Sequence, residues 1–152
     1  MTEQCVNFPD GCGTVGKKVE YISKVLLPAA RFAEYVTLMG SVMHEKIHYV
    51  DPVHEYGSRA EALAMLAKYV PRAANDKFQF ALLVDSPELV VWKWTIAIKI
   101  RFTPFEFLIN GLVHAEVRDG KIIYQREYYD PMESIGVIPL FGFLYKLVLR
   151  MG

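Results

Sequence analysis

Two runs of strong strand formers meet at Asp119-Gly120, within the segment from Gly111 to Asp130. That pair favours a tight two-residue turn, so a β-hairpin is the first constraint on the fold. Upstream, Leu89 to Arg101 alternates. Trp92, Trp94, Ile96, Ile98 and Ile100 point one way, and Lys93, Thr95, Lys99 and Arg101 the other. A period of two with one apolar set describes a strand with one buried face. Lys77 to Val84 and Phe105 to Arg118 complete an antiparallel sheet. On the last strand, Lys121 to Tyr129, Gln125 and Glu127 stand among bulky apolar and aromatic residues. At a sheet edge such residues meet water. In a sheet curled round a cavity they meet a ligand.

The first half reads as helices. Residues 1–16 form a loose arm with Gly11, Gly13 and Gly16 as breakers. From Lys17 the spacing turns helical, with Val19, Ile22, Val25 and Leu26 on one stripe. Pro28 ends or kinks that helix, or opens the next at its first turn. A second helix runs from about Ala29 to Met43, with Phe32, Tyr35, Val36 and Met39 together. Ile47 and Tyr49 suggest a short strand before the Asp51-Pro52 turn. Ser58 and Glu61 make a capping box for a third helix that Pro71 stops. Helices followed by a long antiparallel sheet give an α+β class, here N-terminal helices packed on a strongly curved sheet. One domain, 17–152, follows the arm, with an apolar helix at about 139–150.

The chain has 152 residues, with 17 basic and 17 acidic ones. That length buries a sizeable core, and the balanced charge gives no electrostatic reason for a nucleic-acid partner. The opening residues lack an apolar signal region. The longest apolar stretch, Ile135 to Leu149, is too short to span a bilayer and is broken by Pro139, Gly142 and Lys146. A cytoplasmic protein is expected, with the tail packing within the protein ahead of a membrane surface. Cys5 and Cys12 are too few for a disulfide framework and lack zinc-site spacing, so two ordinary thiols are expected. The histidines share no recognised metal spacing with a carboxylate, and neither metal nor cofactor is inferred.

Tyr49-Val50-Asp51-Pro52-Val53-His54, followed by Gly57 and a helix, resembles a segment of SnoaL-like proteins. Asp119-Gly120-Lys121-Ile122, continuing to Arg126-Glu127-Tyr128-Tyr129-Asp130, is similar to their closing segment. These proteins belong to the nuclear transport factor 2-like superfamily, with ketosteroid isomerase and limonene epoxide hydrolase as relatives. The resemblance covers about Lys17 to Asp130. It implies a cone-shaped α+β barrel with an apolar pocket, often in a homodimer, and it fixes no reaction.

Asp51 matches the position of the isomerases' proton-shuttling aspartate. In an apolar cavity a carboxylate loses hydration and becomes a general base. The alternative is a turn aspartate held by nearby amides. The isomerase pattern otherwise breaks: its oxyanion-stabilising acid falls at Val113, and its tyrosine near Leu27, with Tyr35 or Tyr49 as substitutes. The hydrolase pattern breaks at Trp94 and Ile96, although Glu127 matches its second acid in charge. Asp51 and Glu127 facing each other across a cavity form the sharpest chemical hypothesis. Trp94, Tyr129, Tyr49 and His54 are candidate ligand contacts, with Val113, His114 and Gln125 beside them; Trp92 reads as core.

His114 depends on register. A loop of Asp119-Gly120 alone sets it opposite Gln125. A loop starting at Arg118, with a glycine bulge, puts Gly111, Val113 and Ala115 on the face of Gln125 and Glu127 and turns His114 outward. The resemblance favours the second arrangement. The expected function is binding of a small apolar molecule, with acid–base chemistry through Asp51 and Glu127 or, alternatively, a carrier or dimeric interaction domain.

Overall fold

The computed structural model describes residues 7–73, 77–99 and 106–131, together with 143, 147 and 150. Thr14 caps the first helix, α1 (Val15–Tyr21), by accepting the Lys17 amide at 3.2 Å. Its hydroxyl also donates to Asp85 Oδ2 at 2.7 Å. The helix therefore starts two residues before Lys17 and is tied at its first turn to the end of β3 (Gln79–Asp85). It runs directly into a π-helical turn, Ile22–Leu26. The wider turn keeps Ile22 and Leu26 in the core and displaces Val25, which is 44 % exposed, from the stripe that ordinary helical spacing assigns it.

Pro28 lies in a turn closed by Arg31 N–H donating to Leu26 O at 3.0 Å. Ala30 takes a left-handed φ of 56° there. Helix α2 (Phe32–Val42) consequently begins after Ala29, and it buries Leu38, Met39 and Val42. Strand β1 (Met43–Val50) follows without a loop, then the short β2 (Glu55–Tyr56). The capping box at α3 (Arg59–Ala73) forms: Ser58 Oγ accepts the Glu61 amide at 3.3 Å, and the Glu61 carboxylate reaches back to the Gly57 amide at 3.3 Å. Pro71 does not stop this helix. It lies in the last turn on an exposed position, where a proline forfeits one intrahelical bond.

Strands β4 (Leu89–Lys99), β5 (Glu106–Arg118) and β6 (Lys121–Tyr129) complete an open six-stranded sheet in the order β2-β1-β6-β5-β4-β3. The α+β architecture is the expected one, but the sheet is mixed. β1 runs parallel to β6, and the other junctions are antiparallel. No hairpin joins β1 to β6, so their relative direction is not fixed as it is between hairpin strands. The core lies between the helices and one sheet face, centred on Val19, Ile22, Met39, Ile47, Trp92 and Val113.

The hairpin resolves the register in a third way. Asp119 and Gly120, at φ 51° and 69°, form a two-residue turn between Arg118 and Lys121. Ile123 is then an extra residue in β6, between the pairs Val117–Ile122 and Glu116–Tyr124. This bulge sets Ala115 opposite Gln125, Val113 opposite Glu127 and Gly111 opposite Tyr129.

Gly111 is also fixed by contact. A Cβ there would meet the Trp94 indole at 2.3 Å, so only glycine lets that ring lie over the strand. Among the described residues no helix is long and apolar enough to cross a membrane. The expected helix at 139–150 lies outside the described residues except for Phe143, Leu147 and Arg150, which are helical and exposed. Cys12 is a free thiol, and Cys5 lies outside the described residues.

Candidate functional site

The concave sheet face and the helices enclose a cavity of about 490 Å³. Its walls are mostly apolar and aromatic: Met39 and Leu66 from the helices, Leu27 from the turn before α2, and Phe80, Trp92, Trp94, Ile96 and Ile109 from the sheet. Trp94 and Tyr129 meet over Gly111 with ring centroids 5.9 Å apart. Such walls offer flat area to a ring or an alkyl chain.

Most of the polar groups come from β1, β6 and the turn after β1. Beyond the bulge, Gln125, Glu127 and Tyr129 point inward on alternate positions of β6. The parallel junction places Tyr49 beside Gln125. Glu127 accepts the Tyr49 hydroxyl and, at 3.0 Å, the Gln125 side-chain amide. Burial lifts the Glu127 carboxyl from its ordinary 4.5 to about 7; the nearby Asp51 charge adds to the rise, and the two donors oppose it. Loss of hydration outweighs two hydrogen bonds here. Burial, with the Glu127 charge second, also raises the Tyr35 and Tyr49 hydroxyls above the usual phenol range. Burial and the charges of Asp51 and Glu127 raise Tyr129. Gln125 is 2 % exposed, and its side-chain carbonyl oxygen is enclosed without a hydrogen-bond partner among the described residues.

Asp51 follows the last residue of β1, and its side chain is 5 % exposed. Its Oδ1 accepts the Val53 amide at 2.7 Å and the His54 amide at 2.8 Å. The His54 ring Nδ1 lies 3.2 Å from Oδ1 and 3.1 Å from Oδ2. Tyr129 also hydrogen-bonds this carboxylate. The turn-aspartate arrangement is therefore present, and it coexists with a place in the cavity wall. The His54 ring is held in turn by Tyr56, stacked at 5.7 Å and 13° between planes, and by Tyr69 at 6.1 Å.

Of the residues singled out in the sequence, Tyr49, Asp51, His54, Trp94, Gln125, Glu127 and Tyr129 come together at this cavity. Two do not. Val113 is fully buried beneath Glu127 and contributes core packing, not cavity wall. His114 pairs with Arg126 on the opposite face and contacts the Tyr124 ring at 6.3 Å, because the β6 bulge turns it outward.

Sequence reasoning missed Ser23 and Tyr69 as lining residues. A serine on the buried stripe of an apolar helix was the available signal for Ser23. Nothing distinguished Tyr69 from a surface aromatic. Tyr35, weighed only as a substitute donor, also lines the cavity. Among the described residues no group of three His, Cys, Asp or Glu side chains is placed to hold a metal ion.

A sequence profile of the SnoaL-like domain matches residues 30–125. No curated protein matches the sequence. Solved structures match by shape at low identity. An LEH-like epoxide hydrolase from M. tuberculosis is 17 % identical, with a TM-score of 0.55 over 86 % of this chain and 96 % of that one. A nuclear transport factor 2-like protein from Burkholderia xenovorans is 16 % identical, with a TM-score of 0.54 over 80 % and 94 %. A protein with a ketosteroid isomerase-like fold from Catenulispora acidiphila, in complex with trimethylamine, is 12 % identical, with a TM-score of 0.52 over 74 % and 82 %. At these identities the likeness carries the fold and no activity.

Proposed function

The chain belongs to the SnoaL-like domain family, and from that premise we propose that it binds a small, largely apolar molecule in its cone and exchanges a proton with it through Glu127. The observation that carries this is a carboxyl at the wall of an apolar cavity, poised to titrate at about 7. A general acid or base works best when its pKa lies near the operating pH. Tyr49 and Gln125 orient the carboxyl. Asp51 closes the polar wall, and its charge keeps Glu127 from ionising early. The reaction types this supports are isomerisation, cyclisation and hydrolysis.

A carrier without catalysis is the second reading. It draws support from Asp51, whose Oδ1 is already occupied by two backbone amides. The proposal extends to a cytoplasmic homodimer. Leu83, Leu108, Leu112 and Tyr128 are all exposed, and Leu112 and Tyr128 pair on the sheet face opposite the cavity, an apolar surface that a second copy would cover.

The chain has two tryptophans, and both line the cavity. Titration with 2-naphthol is expected to perturb their fluorescence saturably. The affinity is expected to show a pH step near 7 that disappears in Glu127→Gln. Absence of saturable binding would end the ligand reading. Binding with the same pH step in Glu127→Gln would end the role of Glu127. Light scattering reads the dimer; a monomeric mass at high concentration would exclude it.

A further inference from the structure

Asp51 has more donors than a reacting base can keep. A carboxylate that accepts two backbone amides on Oδ1 at 2.7 and 2.8 Å, and has Oδ2 3.1 Å from an imidazole nitrogen, has both lone pairs of Oδ1 engaged and Oδ2 turned to the ring. Taking a proton from a ligand would require breaking that set. The geometry points to another division of labour. We infer that Asp51 is a positioning residue, that it fixes His54 with the ring proton on Nδ1, and that Nε2 of His54 is a second proton-transfer group presented to the ligand, an acceptor in addition to Glu127.

Four observations carry this. Nδ1 faces Asp51 at 3.2 and 3.1 Å, a geometry that satisfies an N–H donor and strands a bare nitrogen. The carboxylate is itself immobilised by the turn, since the Asp51 amide donates to the His54 carbonyl at 2.9 Å. The ring is clamped by Tyr56 and Tyr69. Nε2, on the far side of the ring, makes no hydrogen bond to any described residue, while the ring lines the cavity and the side chain keeps 32 % exposure. A carboxylate that fixes the tautomer of a histidine leaves the opposite nitrogen as the acceptor. The groups facing His54 are Asp51 from its own turn, Tyr56 from β2 and Tyr69 from α3.

The inference rests on the ligand-binding reading above only for its catalytic part. The tautomer is a property of the free protein. Nitrogen-15 NMR of the histidine-labelled full chain is expected to show neutral His54 with its proton on Nδ1 and a bare Nε2. In Asp51→Asn the side-chain carbonyl can keep the two backbone amides, which turns its NH₂ towards the ring. Nδ1 must then be bare, so the tautomer inverts. A wild-type His54 with a bare Nδ1 overturns the inference, as does an Asp51→Asn spectrum without inversion. If that variant does not fold, the wild-type spectrum still decides.

The catalytic part is read with 5-nitrobenzisoxazole, a flat apolar ring. A base takes its C–H proton, the C–H electrons complete a nitrile, and the N–O bond opens to release a phenolate. His54→Gln and Asp51→Asn are each expected to lower kcat at least tenfold with little change in KM. Full turnover in His54→Gln overturns the inference. So does a wild type that binds the probe and leaves it intact, while the binding reading survives. A wild type that does not bind it counts against that reading instead, and the tautomer then decides the role of Asp51.

Discussion

Two carboxylates of the same kind reach one cavity from different backbones. Asp51 sits on a turn, where the amides of Val53 and His54 belong to no ladder and are free to converge on Oδ1. Glu127 sits in β6, whose amides are committed to its neighbours β1 and β5. Its donors are therefore side chains, Tyr49 and Gln125. A turn gathers backbone donors and holds a carboxylate in place. A strand interior leaves it to a few side chains, and burial then governs its protonation. The backbone holds the turn acid in place, and burial raises the strand acid to about 7.

The largest expected effect breaks this contrast at Glu127. Unfolded, its carboxyl ionises near 4.5; folded, it holds its proton to about 7. The folded state binds more protons between these values, so this contribution to stability is complete below 4.5 and falls as pH rises through about 7. At roughly 1.4 kcal/mol per unit, the loss is on the order of 3 kcal/mol. Urea unfolding of Glu127→Gln is expected to lack this decline and to exceed wild-type stability at pH 8. A parallel decline in both proteins would mean the carboxyl is not desolvated.

Asp51→Ala should act with the opposite sign. It removes the shared charged acceptor of the Val53 and His54 amides and should cost about 2 kcal/mol. A neutral effect would show those amides satisfied by water. Tyr49→Phe sharpens the comparison with a smaller effect. Losing one donor to the ionised form, worth about 1 kcal/mol, should move the Glu127 titration upward, as followed by carboxyl NMR. A downward move would refute the hydrogen bond. His114→Ala, on the other face, should change stability by less than about 0.5 kcal/mol and leave the Glu127 titration where it was.

The alternation in β4 and the Asp119-Gly120 turn were legible because period and turn chemistry are local. So was the capping box at Ser58, and the alternation of Gln125, Glu127 and Tyr129. Local signals say less about how elements end or slip. The π turn at Ile22–Leu26 uses residues that would serve an ordinary helix, so nothing announced that Val25 would leave the core. The bulge at Ile123 replaced both hairpin registers considered, because it depends on packing across three strands. The direction of β1 against β6 was equally invisible, since the two strands lie far apart in the chain and no hairpin joins them. For Asp51 the turn arrangement is present, and the residue also stands in the cavity wall.

The parallel seam between β1 and β6 has a consequence for how the molecule comes into being. Tyr49 and Gln125 are neighbours across it, yet β2, α3 and β3 to β5 all intervene along the chain. Closing so large a loop costs entropy before the contact returns anything. The niche that shelters the Glu127 proton thus has no precursor in either half of the polypeptide and arises only as the two halves dock.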